Sequence, residues 1–227
     1  VSESIAHIAT DYVVMADCDG ICNIDYNDML RDHIAHNADV TMMVKRIRLN
    51  GAISDHMTLI ESDSDGNITN LAVNPSYAEG ERDAAVNVTI LKTRYLQTVL
   101  QEAIAHGYTS LTLDIVMRNI SKCVYRIYRY DEPFVNISSL ADYYSCSMRL
   151  IDDPAFRKSL FGIEQRPILT KIRNSAPTRY ADGSCTKNSL IADGCRIDGT
   201  VENCILFRGV KIGRGAKIKN CILFQDT

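Results

Sequence analysis

The feature of this sequence that most constrains its fold is a six-residue repeat near the end of the chain. The pentapeptide NCILF occurs twice, starting at Asn203 and Asn220, a separation close to three hexapeptides and so to one coil of a triangular parallel β-helix. Each turn of such a coil places an aliphatic residue inward, and stacked coils build the core. Ordinary strands joined by turns are the alternative, but they would not repeat a pentapeptide near this spacing. The residues predicted to point inward are Ile191, Ile197, Leu206, Ile212, Ile218 and Phe224.

The first 150 residues alternate between strand-like and helix-like patterns. Runs rich in aliphatic and β-branched residues predict strands at ADVTMMVKRI, AAVNVTIL and KCVYRIYRY. Helices are predicted at TRYLQTVLQEAIAHG, ended by Gly107, at SSLADYYSCSMRLI, capped by Ser138 or Ser139, and at LTLDIVMRNI. A hairpin is predicted at DHMTLIESDSDGNITNLAV, with a two-residue turn at Asp65-Gly66. This alternation predicts a mainly parallel sheet covered by helices.

The chain is therefore predicted to be an α/β protein in three parts. Residues 1–150 form part of an α/β domain with a mixed sheet, residues 151–182 form a helix and linker, and residues 183–227 form a truncated left-handed parallel β-helix. The chain begins within helix-like SESIAHIAT and stops at CILFQDT, inside the repeat. Both ends suggest a piece of a longer protein.

The stretch VMADCDGICNID predicts an acidic turn between a strand and a helix. Val13, Val14 and Met15 form an apolar run that suits a strand buried on both faces of a parallel sheet. Gly20 allows a sharp turn, and helix-like YNDMLRDHIAHN follows Asp25. Ligands of α/β proteins gather at the carboxyl ends of such strands, which makes these acids candidates for a functional site. Helix capping or a solvated turn is the alternative reading.

Charge, hydropathy and cysteine spacing restrict the partners of this chain. The formal net charge is -3 with interspersed signs, which argues against nucleic acid as a partner. No apolar run approaches the roughly 20 residues of a membrane helix, and no basic-then-apolar signal opens the sequence. The eight cysteines contain no C-x2-C pair, so buried free thiols in a reducing cytosol are expected. We predict a cytoplasmic protein with no nucleic-acid or membrane partner.

An α/β part followed by hexapeptide repeats resembles the sugar-phosphate nucleotidyltransferases, whose catalytic domain is a Rossmann-like mixed sheet. The segments VENCILFRGVKIGRGAKIKNCILF, KNSLIADG and PTRY are similar to the C-terminal part of glucose-1-phosphate adenylyltransferase, or ADP-glucose pyrophosphorylase. The resemblance covers nearly the whole chain, from the middle of the family's catalytic domain onward. The Gly-rich nucleotide loop of the family has no counterpart in this sequence.

The resemblance aligns two positions with the metal-binding acids of the family. The family segment G-D-H-I-Y-x-M-D-Y falls on CDGICNIDY, which puts Asp19 at the acid that holds the catalytic magnesium. The family segment W-x-D-V-G-T falls on FVNISS, which puts Asn136 at the second acid. Mg²⁺ prefers anionic oxygen ligands, and an amide brings no charge. The resemblance thus implies Mg²⁺ for the family and weak or absent Mg²⁺ binding in this chain.

The positions that contact substrate in the family are also altered. The family segment F-x-E-K-P, whose Lys binds the sugar phosphate, falls on LAVNP, with Val73 at the Glu and Asn74 at the Lys. The glucose-contacting A-S-M-G falls on AAVN, with Ala85 at the Ser and Asn87 at the Gly. A neutral amide cannot neutralise a phosphate, and charge-assisted hydrogen bonds are the stronger ones. The resemblance therefore implies a retired active site, in which Asp19 alone keeps a catalytic position.

This pattern is similar to the regulatory-type second subunit that accompanies the catalytic subunit in some bacteria. The resemblance implies a homo- or hetero-tetramer that includes the catalytic subunit, with ATP and glucose 1-phosphate bound at the level of the complex. A catalytically competent full-length chain is the alternative. A hexapeptide acyltransferase is a remote one, because those enzymes usually place a His at the coil, and all five histidines here precede residue 107.

Two further sets of residues are candidates for binding. Lys171, Arg173 and Arg179 lie within nine residues of one another and could form an anion site for a phosphorylated effector, or a solvated linker. The NCILF copies hold more apolar residues than a triangular core can turn inward. Some of them must therefore face outward, and an exposed apolar band usually marks a protein–protein surface. Phe207 and Phe224 are the predicted interface residues.

Overall fold

The computed structural model describes residues 9–53, 57–107, 116–171 and 173–227. The chain forms two compact units, which comprise Val1–Gly20 with Asp25–Asp131, and Ile21–Ile24 with Glu132–Thr227. The predicted domain boundaries at residues 150 and 182 stay a prediction. The helix predicted at SESIAHIAT and the first half of LTLDIVMRNI lie outside the described residues. No helix in the described ranges has the length and apolar character needed to cross a membrane.

The described part of the first unit contains a six-stranded sheet and three helices. Its strands are β1 (Tyr12–Ala16), β3 (Val40–Ala52), β4 (Thr58–Ser62), β5 (Ile68–Val73), β6 (Tyr77–Lys92) and β7 (Tyr125–Arg129). Its helices are α1 (Tyr26–Ala35), α2 (Thr93–His106) and α3 (Met117–Asn119). The short strand β2 (Gly20–Ile21) lies where the chain leaves this unit. The strand order is β5-β4-β6-β3-β7, with β1 also paired to β6.

The sheet is mixed, as predicted, but the expectation that it is mainly parallel is wrong. Among the described strands only β3 and β7 pair in parallel, whereas β6 is antiparallel to β1, β3 and β4, and β4 is antiparallel to β5. The reason is that the β4–β5 hairpin follows β3 in the chain, and β6 then returns along β3 in the opposite direction. Antiparallel neighbours need only short connections, so no crossover helix is required there.

The strand β1 is more exposed than its apolar run predicts. It pairs with β6, yet Val14 and Met15 have 46% and 37% of their surfaces exposed. Burial of this strand on both faces of a parallel sheet is therefore wrong. Three apolar residues in a row do not distinguish a strand buried on both faces from one with an open face.

The β4–β5 hairpin is present, but its turn is longer than predicted. The backbone N of Asp63 donates to the carbonyl O of Asn67 at 2.9 Å, so residues 64–66 form the loop. Gly66 takes a left-handed conformation there, with φ +86°. The Asp63 carboxylate accepts from the backbone N atoms of Asp65 and Asn67 at 3.0 and 2.8 Å. These side-chain bonds favour a three-residue loop over the predicted two-residue turn.

The helices α1 and α2 begin and end close to where the sequence predicts. Asp25 is the N-cap of α1 and accepts from the backbone N of Asn27 at 2.9 Å, which confirms the strand–turn–helix reading. Gly107 ends α2, as predicted. Helical spacing predicts one apolar stripe in α1 with Met29 and Ile34 and one in α2 with Leu96 and Ile104, but Ile34 and Ile104 are exposed. The buried residues of the two helices include Met29 and His33 of α1 and Leu96 and Val99 of α2.

The second unit contains a parallel coil of short strands. Its helices are α4 (Leu140–Asp152) and α5 (Pro154–Phe161), and β8 (Val135–Asn136) pairs with β2. The coil strands are β9 (Arg179–Tyr180), β10 (Cys185–Lys187), β11 (Leu190–Ile191), β12 (Arg196–Ile197), β13 (Thr200–Glu202), β14 (Ile205–Leu206), β15 (Lys211–Ile212), β16 (Lys217–Lys219) and β17 (Ile222–Leu223). They form three parallel sheets, β9-β12-β15, β10-β13-β16 and β11-β14-β17. This arrangement confirms the predicted hexapeptide coil.

The coil core contains more than the predicted aliphatic register. Buried residues from successive strands and corners form one cluster, namely Cys195, Ile197, Val201, Cys204, Leu206, Val210 and Ile212. Two of the eight cysteines thus serve as small apolar residues. All eight cysteines are free, as predicted, but the expectation that they are buried is met only by Cys146, Cys195 and Cys204.

The inward position predicted for Phe224 is wrong. The two NCILF copies start 17 residues apart, one residue fewer than three hexapeptides. Leu223 therefore pairs in register with the buried Leu206, and Phe224 follows Phe207 on the outside of the coil. The rings of Phe207 and Phe224 lie 5.5 Å apart between centroids.

The helix α4 is tied to more than one coil of the second unit. Ser139 is its N-cap and accepts from the backbone N of Asp142, which decides between the two predicted caps. The hydroxyl of Tyr144 donates to the carbonyl O of Asn220 at 2.9 Å. The carboxamide of Asn188 donates to the Asp152 carboxylate at 3.1 Å. The helix thus reaches both the coil that contains Asn188 and the coil that contains Asn220.

Candidate functional site

The ends of three strands of the first unit meet beside the middle of β6. Along the same edge of β6, pairing with β4 reaches Ala84 and pairing with β1 begins at Val88. Residues 85–87 therefore lie in a gap between β4 and β1. The last residue of β5, Val73, pairs with Thr58 at the start of β4, so the end of β5 lies on the far side of the same gap.

The structure brings most of the family positions to this gap. The backbone N of Asp17 donates to the carbonyl O of Asn87 at 3.2 Å, so the loop that contains Asp19 begins here. Asn136 lies in the second unit. The four substrate positions at or beside the gap are Val73, Asn74, Ala85 and Asn87.

Two of these substitutions have a backbone role that the sequence reading missed. Asn74 and Asn87 have φ values of +48° and +54°, in the left-handed region. Asparagine enters this region more readily than other residues with side chains, after glycine. Asn87 sits at the irregularity in the β3–β6 pairing and so keeps a conformation that the family's glycine can adopt. The single asparagine in each of these two segments was the signal that could have revealed it.

The described residues do not fit a dedicated magnesium site. One carboxylate oxygen of Asp19, Oδ1, is buried without a hydrogen-bond partner within the described part of the chain. This oxygen is a plausible ligand, but no group of three or more His, Cys, Asp or Glu side chains in the described ranges could hold a metal ion. Mg²⁺ commonly retains several waters and takes one or two carboxylates together with substrate phosphates, so Asp19 alone offers the smallest set of protein ligands that such a site uses. Asn136 is exposed and brings a neutral amide.

Asn23, four residues after Asp19, is a polar residue that sequence reasoning missed. It is buried, and its Nδ2 donates to the carbonyl O atoms of Leu160 and Arg166 at 2.6 and 3.0 Å. The Arg166 guanidinium in turn donates to the carbonyl O of Asn23 at 2.6 Å and to the Glu132 carboxylate at 3.0 Å. All four residues belong to the second unit. We call this arrangement the Asn23 clamp.

The remaining candidate residues lie on the surface of the second unit. Lys171, Arg173 and Arg179 are exposed, and Arg179 is in β9. Phe207 and Phe224 have 38% and 57% of their surfaces exposed, so both aromatic rings of the predicted band face outward. One ring of this band already has a partner in the second unit. The ring of Tyr143 stacks on Phe224, with the two centroids 6.3 Å apart.

The chain belongs by its architecture to the class of proteins in which an α/β domain is followed by a coil of hexapeptide repeats. The coil agrees with a known family description, "GlmU-like, C-terminal hexapeptide", which matches residues 176–227. This match covers less than a quarter of the chain, so it concerns the coil alone.

Whole-chain similarity identifies more particular relatives. The chain is 32% identical over 208 residues to the glycogen biosynthesis protein GlgD of Bacillus subtilis, covering 92% of this chain and 49% of that protein. It is 31% identical to the GlgD protein of Geobacillus stearothermophilus, covering 91% and 49%. It is 26% identical to the glucose-1-phosphate adenylyltransferase of Thermosipho africanus, covering 92% and 50%. The predicted resemblance is confirmed, and the chain spans about half the length of these curated relatives.

Proposed function

We propose that this chain is part of a regulatory-type subunit of glucose-1-phosphate adenylyltransferase that is itself weakly catalytic or non-catalytic. The assembled enzyme would convert ATP and glucose 1-phosphate into ADP-glucose and pyrophosphate for glycogen biosynthesis. The observation that carries the proposal is the chemistry of the gap beside β6. A valine, an alanine and two asparagines stand there at positions where the family uses an acid, a hydroxyl, a cation and a glycine. The names of the relatives support the pathway.

The chain's own residues explain why turnover would be weak. Asn74 can donate a hydrogen bond to a phosphate but brings no positive charge, whereas a lysine ammonium donates and also neutralises part of the phosphate charge. Val73 has no polar side-chain atom, and Asn87 serves its own backbone conformation. Magnesium, when bound, would supply positive charge against phosphate oxygens, and Asp19 is the residue that would hold it. A single acid gives little affinity, so we expect Mg²⁺ binding to be weak or absent.

Fold and assembly complete the proposal. The coil is a left-handed β-helix, and the mixed sheet is the later part of a Rossmann-like nucleotidyltransferase domain. The chain works in the cytoplasm within a homo- or hetero-tetramer that includes the catalytic subunit. Lys171, Arg173 and Arg179 are exposed cations suited to a phosphorylated effector of that complex.

A turnover assay on the full-length protein, alone and mixed with the catalytic subunit, tests the proposal. We expect negligible ADP-glucose synthesis by the full-length chain alone and a changed rate in the mixture. Asp19→Asn in this chain should leave the rate of the mixed complex almost unchanged, because the acid lacks its partners. The matched control is the same substitution at the corresponding acid of the catalytic subunit, which should abolish synthesis.

A catalytically competent full-length chain is the second candidate function. It is favoured by the buried Oδ1 of Asp19, which has no hydrogen-bond partner among the described residues and is available to a cation. Substantial synthesis by the full-length chain alone, lost in Asp19→Asn, would establish this alternative. Tight Mg²⁺ binding in calorimetry that depends on Asp19 would support it as well.

Association is expected to depend on the outward phenylalanines of the coil. Phe207→Glu should weaken co-purification with the catalytic subunit at least about tenfold, because a charge replaces an exposed ring at the centre of the apolar band. Circular dichroism should show an unchanged fold, since Phe207 is not part of the coil core. The control is Leu169→Glu, which alters an exposed leucine outside the coil strands. Unchanged stoichiometry and activation in Phe207→Glu would contradict the interface role.

A further inference from the structure

The chain crosses between the two compact units after Gly20, the residue that follows Asp19. It leaves the first unit after Gly20, contributes Ile21–Ile24 to the second unit, and re-enters the first unit at Asp25. Within the second unit, Ile21 packs against a buried cluster that includes Phe156 and Leu160 of α5. The four crossing residues are therefore part of the second unit's structure, although their neighbours on both sides belong to the first.

The Asn23 clamp fixes this crossing segment through buried hydrogen bonds. The side chain of Asn23 donates to two backbone carbonyls, one of which, that of Leu160, lies in the last turn of α5. Carbonyls in a last helical turn have no partner within the helix, so an external donor satisfies them. Arg166 donates to the carbonyl of Asn23 and is held by Glu132. Loss of Asn23 would leave the buried carbonyl of Leu160 and the partly buried carbonyl of Arg166 without this donor.

The loop with Asp19 is held at its other end within the first unit. Ala16 is the last residue of β1 to pair with β6, and Asp17 donates its backbone N–H to Asn87. Only residues 18–20 separate this anchor from Ile21. Only three residues lie between these two points, so the loop has few backbone dihedral angles that neither anchor restricts.

We propose that Asn23 is a positioning residue that sets the conformation of the Asp19 loop through its hydrogen bonds in the second unit. A rearrangement of the second unit at the end of α5 or at Arg166 would thereby reach Asp19 along the chain itself. The inference goes beyond the proposed function and does not require Asp19 to bind a metal. According to this proposal, the conformation of the Asp19 loop depends on the hydrogen bonds of the Asn23 clamp and not on the overall stability of the second unit.

The test compares Asn23→Ala with Asp153→Ala in the purified protein. Asp153 is the N-cap of α5 and accepts from the backbone N of Phe156 at 2.9 Å, so its loss weakens the same helix at the opposite end from the clamp. The first readout is amide hydrogen exchange of residues 17–24. The second is alkylation of Cys22 by iodoacetamide, with the exposed Cys185 of the coil as internal reference. Burial raises the pKa of the Cys22 thiol, so release of the segment should increase its reactivity.

We expect Asn23→Ala to raise both the exchange rate of this segment and the Cys22 alkylation rate by about tenfold, because one buried and one partly buried acceptor lose their donor. Asp153→Ala should change both rates less than about twofold. Arg166→Gln, which removes the other half of the clamp, should reproduce the effect of Asn23→Ala. Equal rate increases in Asn23→Ala and Asp153→Ala would show that Asn23 only contributes to the stability of the second unit and does not position the loop. Faster exchange confined to residues 21–24, with residues 17–20 unchanged, would overturn the coupling to Asp19.

Discussion

Gly199→Ala is expected to lower the free energy of unfolding of the second unit by about 3 kcal/mol or more. A Cβ atom at this position would lie 2.5 Å from the carbonyl O of Ala216 and 2.7 Å from that of Gly213. Both carbonyls belong to the backbone of the coil and already accept hydrogen bonds, from Thr200 N and Ala216 N respectively. The Ala216 carbonyl cannot move without breaking its bond to Thr200 of the neighbouring coil, and the Gly213 carbonyl cannot move without breaking its turn bond to Ala216, so the added methyl group distorts the coil.

Urea-induced unfolding followed by circular dichroism measures this loss. The matched control is Gly213→Ala, since a Cβ at Gly213 meets no described atom within 4 Å and its φ is not positive. We expect the control to change the free energy of unfolding by less than about 1 kcal/mol. Equal stability of the two variants would mean that successive coils are not packed as closely at Gly199 as the structure has them.

The second large effect is a loss of stability at mildly acidic pH that originates at His33. The imidazole is fully buried in the first unit, with Nδ1 2.7 Å from the hydroxyl of Thr41 and the ring edge-on to Tyr12. Its Nε2 has no hydrogen-bond partner in the described ranges. Protonation would place an incompletely satisfied cation in this core.

Burial lowers the pKa of His33 from 6.5 to about 4. The charge of Lys92 lowers it further, whereas Asp39 and Asp32 oppose the shift. Because the unfolded chain binds the proton more tightly, the stability associated with neutral His33 is complete above pH 6.5. It is lost as the pH falls through the window between 6.5 and about 4. The shift corresponds to about 3 kcal/mol in the free energy of unfolding.

Urea unfolding at a series of pH values from 8 to 4 tests this prediction. His33→Gln should be less stable at neutral pH, but its stability should fall less steeply with acidification, since the carboxylates that remain are the same. The control is His36→Gln, which alters an exposed histidine one residue beyond the end of α1 and should retain the original slope. A His33→Gln protein with the slope of the unsubstituted chain would show that other groups cause the acid sensitivity.

Features that depend on neighbours along the chain were predictable from the sequence. Helix ends leave backbone N–H and C=O groups without partners inside the helix. A polar side chain nearby in the sequence accepts from the free N–H groups, as Asp25 and Ser139 do, and a glycine allows the left-handed turn that ends α2 at Gly107. The hexapeptide coil was predictable for a related reason, because its contacts recur at a fixed interval in the sequence. The family positions were predictable as residues, although not their arrangement in space.

Only the tertiary structure decided how distant segments meet. The direction of β6 against β3, the gap at residues 85–87 and the outward turn of Phe224 depend on which strands pair and in which register. Periodicity cannot specify this, because a strand has the same alternation of side chains in either direction and a one-residue offset reverses its faces. Asn23 shows the same limit, since nothing beside it in the sequence indicates that its partners are Leu160 and Arg166. Such pairings are selected by burial and hydrogen bonding summed over the whole folded unit, which no local pattern records.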